Sequence, residues 1–190
     1  VKYISIFHNH GSGAGASISH PHSQMIAIPV IPPDVGRSLR GSLEYFKREK
    51  TCVHCVMLAF ERKEKKRVLY ENKGFTVVCP FVSRSAYEIR IFPRAHTSEF
   101  ETSSDEDLAE LAKAMVNALR ALKKTLKNPD YNFFIHTSPV SSAATAKHYH
   151  WHIEIIPKTA IWAGFDIGTG IEISTTSPED AARQLRSSLS

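Results

Sequence analysis

The sequence predicts an α+β fold: a mainly antiparallel sheet with packed helices and an internal duplication. Three observations predict it. Short β-rich segments follow one another across turn residues, a few amphipathic stretches stand among them without strict strand–helix alternation, and an N-terminal segment recurs further along the chain.

Residues 2–8, KYISIFH, mix aromatic and β-branched side chains and read as a strand, and a glycine-rich loop runs from Asn9 to Ser17. A second strand is expected at 22–29, ending at Pro29. Val35, Leu39, Leu43 and Phe46 recur at helical spacing and predict a helix over 34–48; a shorter one opens at the Cys52 pair. Strands follow at 67–71, 74–79 and 86–93. The clearest helix is 104–127, with Ser103 or Ser104 as cap, acids in its first turn and lysines in its last, as the helix dipole favours. Strands at 131–137 and 148–156, a strand at 170–174 and a helix from Pro178 complete the pattern.

Sliding the chain by 128 positions superposes Tyr3–Pro29 on Tyr131–Pro157 without a gap, matching His8 with His136, His20 with His148 and His22 with His150. Three segments follow: 1–29, the closing strands of a first copy; 30–157, a complete second copy; and 158–190, a C-terminal extension. On this reading roughly a hundred residues of the first copy precede Val1.

A formal charge of +5 at pH 7 favours anionic ligands only loosely, because Lys and Arg are dispersed apart from the ERKEKKR run at 61–67. Apolar runs such as MIAIPVIPP fall short of the roughly 18 residues a spanning helix needs, so a membrane partner is not expected. Three cysteines make no disulfide framework, and a reducing, cytoplasmic setting is expected.

In His20-Pro21-His22-Ser23-Gln24, alternation along a strand would send His20, His22 and Gln24 to one face. That is either a hydrogen-bonded polar cluster or a reactive one. The preceding loop favours the second, because Gly11, Gly13 and Gly15 let backbone N–H groups approach an anion closely beside an imidazole. Cys52-x-x-Cys55 has the spacing of two thiolates on one Zn²⁺, or of two buried reduced cysteines. Cys79 reads as a small apolar core residue.

The segment NHGSGAGASISHPHSQ resembles the active-site region of the galactose-1-phosphate uridylyltransferase family of the HIT superfamily, and HYHWHIEI resembles the His-x-His-x-His strand of its second HIT-like repeat. The resemblance covers most of the chain, as the C-terminal one and a half repeats. It implies a HIT-like fold and a nucleotidyltransferase that moves UMP between UDP-hexose and hexose 1-phosphate. His22 would be the nucleophile and Gln24 the amide that steadies the phosphoryl oxygens. Asn9, Gly11, Gly13, Gly15, Ser17 and Ser23 would contact substrate or phosphate. It also implies a structural zinc on Cys52, Cys55, His96 and His148, with His20 a ligand to a second zinc. A homodimer is expected, with the tail residues Phe165, Thr169 and Gly170 near the hexose phosphate. His150, followed by Trp151 and His152 instead of Ser23 and Gln24, marks the second copy as a scaffold; its loop, PVSSAATAK, lacks the glycines of the first.

Two other readings stand beside this one. An adenylyl-transferring relative using ADP-glucose and phosphate shares the same motifs. A zinc-stabilised module that binds nucleic acid through its charge would use the histidines for structure only, but no aromatic–basic stacking pattern accompanies that charge.

Overall fold

In the computed structural model, which describes residues 1–140, 146–161 and 163–189, seven strands form one antiparallel sheet. The strands are β1 (Tyr3–His10), β2 (Ser23–Ile28), β3 (Val68–Glu71), β4 (Phe75–Val78), β5 (Ile89–Pro93), β6 (Tyr131–His136) and β7 (His152–Pro157). Their order across the sheet is β2-β1-β6-β7-β5-β4-β3. The helices are α1 (Pro33–Glu49), α2 (Val53–Glu64), α3 (Asp105–Leu126), α4 (Gly164–Thr169) and α5 (Pro178–Ser187). The α+β class and antiparallel sheet expected from the sequence are present.

α3 forms where its end signals place it. The Ser104 hydroxyl accepts from the Asp107 N–H at 3.1 Å, and Lys127 closes the helix in the left-handed region at φ 57. Its buried face carries Leu111, Ala114, Ala118, Ala121 and Leu122, and the three alanines let its axis lie close to the sheet. That side of the sheet presents Phe75, Val77, Ile89, Ile91, Ile135, Ile153 and Ile155, with Ala181, Ala182 and Leu185 of α5 completing the core. On the other side Leu58 of α2 packs with Val68, Val78 and Phe92.

The two hairpins that the sequence repeat relates, β1–β2 and β6–β7, lie side by side through antiparallel pairing of β1 with β6, Ile6 opposite Ile135 and Asn9 opposite Asn132. The repeat is not gapless in space, however. His8 pairs with Phe133 and stacks on it, on the face of the sheet that α3 covers, whereas His136 stacks on His152 on the opposite face. A shift of 128 therefore matches residues that point in opposite directions.

Three further expectations change. β2 begins at Ser23 and β7 at His152, so the HPH and HYH triplets lie ahead of their strands. The strand expected at 170–174 is absent: α4 and an irregular segment fold around Asp166, whose carboxylate accepts from the Ala163 N–H at 3.0 Å and the Ile173 N–H at 3.1 Å. The PVSSAATAK loop lies partly outside the described residues. Among those described, no helix is long and apolar enough to cross a membrane.

α2 is tied to the sheet by a buried ion pair in which Arg67 donates Nε–H and Nη2–H to Glu61 at 2.9 and 2.7 Å, and Nη1–H to Glu179 of α5 at 2.5 Å. Side-chain exposures of 9% for Arg67 and 2% for Glu61 mean that removing the carboxylate strands a desolvated cation. Glu61→Ala is expected to cost about 3 kcal/mol in urea unfolding, the low end for a broken buried pair because Glu179 remains. A loss below about 1 kcal/mol would mean that water already solvates the guanidinium.

Candidate functional site

The β1–β2 connection carries the HPH triplet. His20 is exposed and His22 half-buried, with ring centroids 5.3 Å apart. His22 Nδ1 lies 3.1 Å from the His20 carbonyl oxygen. Because a carbonyl only accepts, that contact puts the proton of the neutral ring on Nδ1 and leaves the lone pair on Nε2. Gln24 is half-buried opposite Phe7, while Ser23 pairs with His8 and points to the other face. Asn9, Gly11, Ser17 and His20 border a cavity of about 350 Å³ that His8 and His10 also line.

The glycine loop differs from the expected phosphate cradle. Gly11 and Gly15 occupy the left-handed region at φ 81 and φ 84, and a single 3₁₀ turn spans Ser12–Ala14. The Ala14 and Ala16 N–H groups donate to the Gly11 carbonyl and that of Gly15 to Ser12. Gly13, expected to meet a phosphate, donates its N–H to the Asp130 carboxylate at 2.6 Å. Asn132 donates through Nδ2 to both Asn9 Oδ1 and the Ala14 carbonyl, each at 2.8 Å. Sequence reading missed Asp130 and Asn132; their place at the start of the strand paired with β1 is the signal that identifies them.

Cys52, Cys55, His96 and His150 bring their ligand atoms within 4.8 Å of one another, a group able to hold a metal ion. Cys52 caps α2 and Cys55 lies in its first turn. Nε2 of His96 faces the Lys147 carbonyl and Nε2 of His150 the Pro93 carbonyl, both at 2.9 Å, so both rings direct an Nδ1 lone pair to the thiols. These nitrogens lie 3.3 and 3.5 Å from Cys55 Sγ. Burial, then the neighbouring Cys52, push the Cys55 thiol up to about 12, a cost that a bound cation would remove.

The fourth member is His150, not the expected His148, which is buried outside the group. His20 belongs to no such group among the described residues. The ring poses agree with this correction, for His152 Nδ1 lies 3.1 Å from the His150 carbonyl oxygen, repeating the His22–His20 contact. In space, therefore, His150 corresponds to His20 and His152 to His22.

Behind that triplet, a cavity of about 710 Å³ is lined by His54, Arg84, Arg90, His136, His152 and Glu154 among others. Glu154 lies 3.3 Å from His152 Nε2 and pairs with Arg90 at 3.1 Å and with Arg84. Burial works to raise its pKa, but the contact with His152 and the Arg90 charge outweigh it and hold the carboxyl far below the usual range. Among the described residues His136 has no hydrogen-bond partner for either ring nitrogen, and burial followed by the neighbouring His152 pushes its pKa down to about 3. Of the tail candidates Gly170 lines this cavity, whereas Phe165 is exposed and Thr169 donates back to the Phe165 carbonyl at 2.7 Å.

The family model described as a domain of unknown function (DUF4921) matches residues 1–190. A protein of Arabidopsis thaliana named ADP-glucose phosphorylase is 39% identical over 187 residues, covering 98% of this chain and 52% of its own length. A galactose-1-phosphate uridylyltransferase of Thermotoga maritima is 32% identical over 193 residues, covering 98% and 60%. The chain thus spans between half and three fifths of these relatives. A crystal structure of the Arabidopsis ADP-glucose phosphorylase with bound ADP-glucose superposes with a TM-score of 0.90 at 38% identity, covering 98% of this chain and 59% of that one. A Zn-bound histidine triad family protein of Mycobacterium smegmatis shares the fold alone, at TM-score 0.51 and 18% identity, covering 74% and 94%.

The buried His136 makes stability depend on pH. Its folded pKa lies below the ordinary 6.5, so between 6.5 and about 3 the unfolded chain binds the extra proton and stability falls as pH falls. Glu154 adds the same trend below the ordinary carboxylate range. Urea unfolding at pH 7.0 and 5.0 is expected to show a smaller loss on acidification in His136→Asn than in the parent; equal losses would exclude His136 as a source.

Proposed function

Because the chain belongs to the family described as a domain of unknown function (DUF4921) and is a galactose-1-phosphate uridylyltransferase-like member of the HIT superfamily, we propose that it carries the nucleophile of a nucleotidyltransferase, His22. The observation that supports this most directly is the His22 ring pose: Nδ1 is held by the His20 carbonyl, and Nε2 has no hydrogen-bond partner among the described residues. In the proposed first step, Nε2 attacks the α-phosphorus of a nucleoside diphosphate sugar. A P–N bond forms, the P–O bond to the sugar phosphate breaks, and its electron pair leaves with that phosphate. An oxygen of a second phosphate then attacks the same phosphorus and the P–N bond breaks, restoring the neutral imidazole. The Gln24 amide donates a hydrogen bond to the phosphoryl oxygens without supplying a proton to the leaving group.

The motif reading makes the transferred group UMP, with UDP-hexose as donor and hexose 1-phosphate as acceptor. A second reading, transfer of AMP from ADP-glucose to phosphate, is favoured by the 39% identity to a protein named ADP-glucose phosphorylase. Incubating the protein with UDP-glucose or ADP-glucose labelled at the α-phosphate separates them. His22 is expected to acquire label from one donor and the label to be lost in His22→Ala; labelling from ADP-glucose alone would replace the uridylyl reading with the adenylyl one. Absence of label from either, with tight salt-sensitive binding of nucleic acid, would favour the non-catalytic module.

We further propose that Cys52, Cys55, His96 and His150 hold zinc, since two thiolates and two imidazoles suit its tetrahedral preference. Four protein ligands leave it no open position, so its work is structural: it joins the start of α2 to the segments before α3 and β7. One zinc per chain is expected by metal analysis, lost in His150→Ala and kept in His148→Ala. Retention in His150→Ala with loss in His148→Ala would restore the assignment made by counting along the sequence.

A further inference from the structure

The loop that leads to His22 is held by a carboxylate from the other copy. Asp130 Oδ2 accepts the Gly13 N–H at 2.6 Å, and the carboxylate lies against Gly11 and Gly13. A Cβ on Gly11 would stand 1.8 Å from Asp130 Oδ1, and one on Gly13 would stand 2.8 Å from Oδ2. A side chain at either glycine would therefore have to displace the Asp130 carboxylate from its seat. Asn132, two residues on, grips the same loop by donating to Asn9 Oδ1 and the Ala14 carbonyl, each at 2.8 Å. That contact fixes the Asn9 amide with its oxygen turned inward, leaving its NH₂ group to donate elsewhere. Among the described residues no side chain of β6 is hydrogen-bonded to the segment beyond Ala16, and the chain reaches His20 and His22 from this clasp.

We propose that Asp130 is a positioning residue for His22: its carboxylate, seated in the Gly11–Gly13 turn, orders the loop that presents the nucleophilic imidazole. The proposal rests on the nucleotidyl-transfer reading. Asp130 touches no reacting atom and acts through the backbone. Its charge fills the N–H dipole of the turn as a phosphate would, so the loop is ordered before substrate arrives and less ordering entropy opposes the transition state. The donor's phosphates then belong beside His22 and the Asn9 amide, outside the turn itself.

Four variants test it: Asp130→Ala, Asp130→Asn, Gly13→Ala and the double variant Gly13→Ala/Asp130→Ala. Hydrogen–deuterium exchange of residues 12–16 reads the seat without any need for activity. Asp130→Ala is expected to speed that exchange about tenfold or more while exchange in α3 is unchanged. Single-turnover labelling of His22 at saturating nucleotide sugar is expected to slow on the order of tenfold to a hundredfold, with the half-saturating concentration altered by less than about twofold. Asp130→Asn keeps an acceptor oxygen for the Gly13 N–H and is expected to recover most of the labelling rate. Gly13→Ala is expected to be harmful alone and to add nothing in the double variant, because the collision needs the carboxylate.

Unchanged loop exchange in Asp130→Ala, or additive losses in the double variant, would overturn the seat. Full labelling by Asp130→Ala, or an equal fall in labelling and thermal stability with no rescue by Asn, would overturn the positioning role. If the parent protein takes no label on His22 from any donor, the transfer reading fails and the positioning role with it. The exchange result still decides separately whether Asp130 orders the loop.

Discussion

Pairing of β1 with β6 is the constraint on which the candidate site depends. With Asn9 opposite Asn132 and His10 opposite Tyr131, the residue just before β6 falls beside the turn just after β1, so the Asp130 carboxylate reaches Gly13 and the Asn132 amide reaches Asn9. The same register stacks His8 on Phe133 and His10 on Tyr131, closing one side of the loop with flat rings. A slip of one residue would send each of these side chains to the other face of the sheet and dissolve the clasp. The two copies are thus joined by a ladder whose ends bring residues of one copy against the loop of the other.

Much of this was legible in the sequence because local signals and packing agree. The Ser104 cap, the acidic first turn and the alanine-rich face of α3 all favour one helix in one orientation. Strand limits near the histidines were not legible, because alternation of side chains cannot report where backbone donors go. The Tyr149 N–H is taken by the Ala146 carbonyl and the Trp151 N–H by the Thr97 carbonyl, so neither enters a ladder and β7 starts only at His152. In the tail, IEIS alternates as a strand would, yet Asp166 collects two backbone N–H groups and folds the segment back on itself.

The metal group shows the same limit. Three histidines at every second position offer two equally spaced His-x-His pairs, and counting from the first copy selects His148 and His150. Backbone carbonyls decide otherwise: Pro93 and Lys147 each take an imidazole N–H and leave His150 and His96 with Nδ1 free for the thiols. These acceptors are distant in sequence from the motif they orient. Asp130 and Asn132 escaped notice for a similar reason, since a lone acid and amide before a strand carry no pattern until the strand has a neighbour.

Under the proposed transfer through His22, the corresponding ring of the later hairpin, His152, stands in a setting less suited to phosphoryl chemistry. Two residues after each ring stands a different side chain, Gln24 after His22 and Glu154 after His152. Glu154 places a buried carboxylate 3.3 Å from His152 Nε2, and a carboxylate accepts hydrogen bonds but donates none to phosphoryl oxygens. Arg84 and Arg90 balance the carboxylates of Glu154 and Glu88, so the cluster holds no spare positive charge for a phosphate. An amide at the same place carries no charge and can donate to phosphoryl oxygens. On the proposed function, the difference between one amide and one carboxylate leaves transfer to the His22 hairpin, while the later hairpin contributes His150 to the Cys52, Cys55 and His96 group and Asp130 to the clasp on the glycine loop.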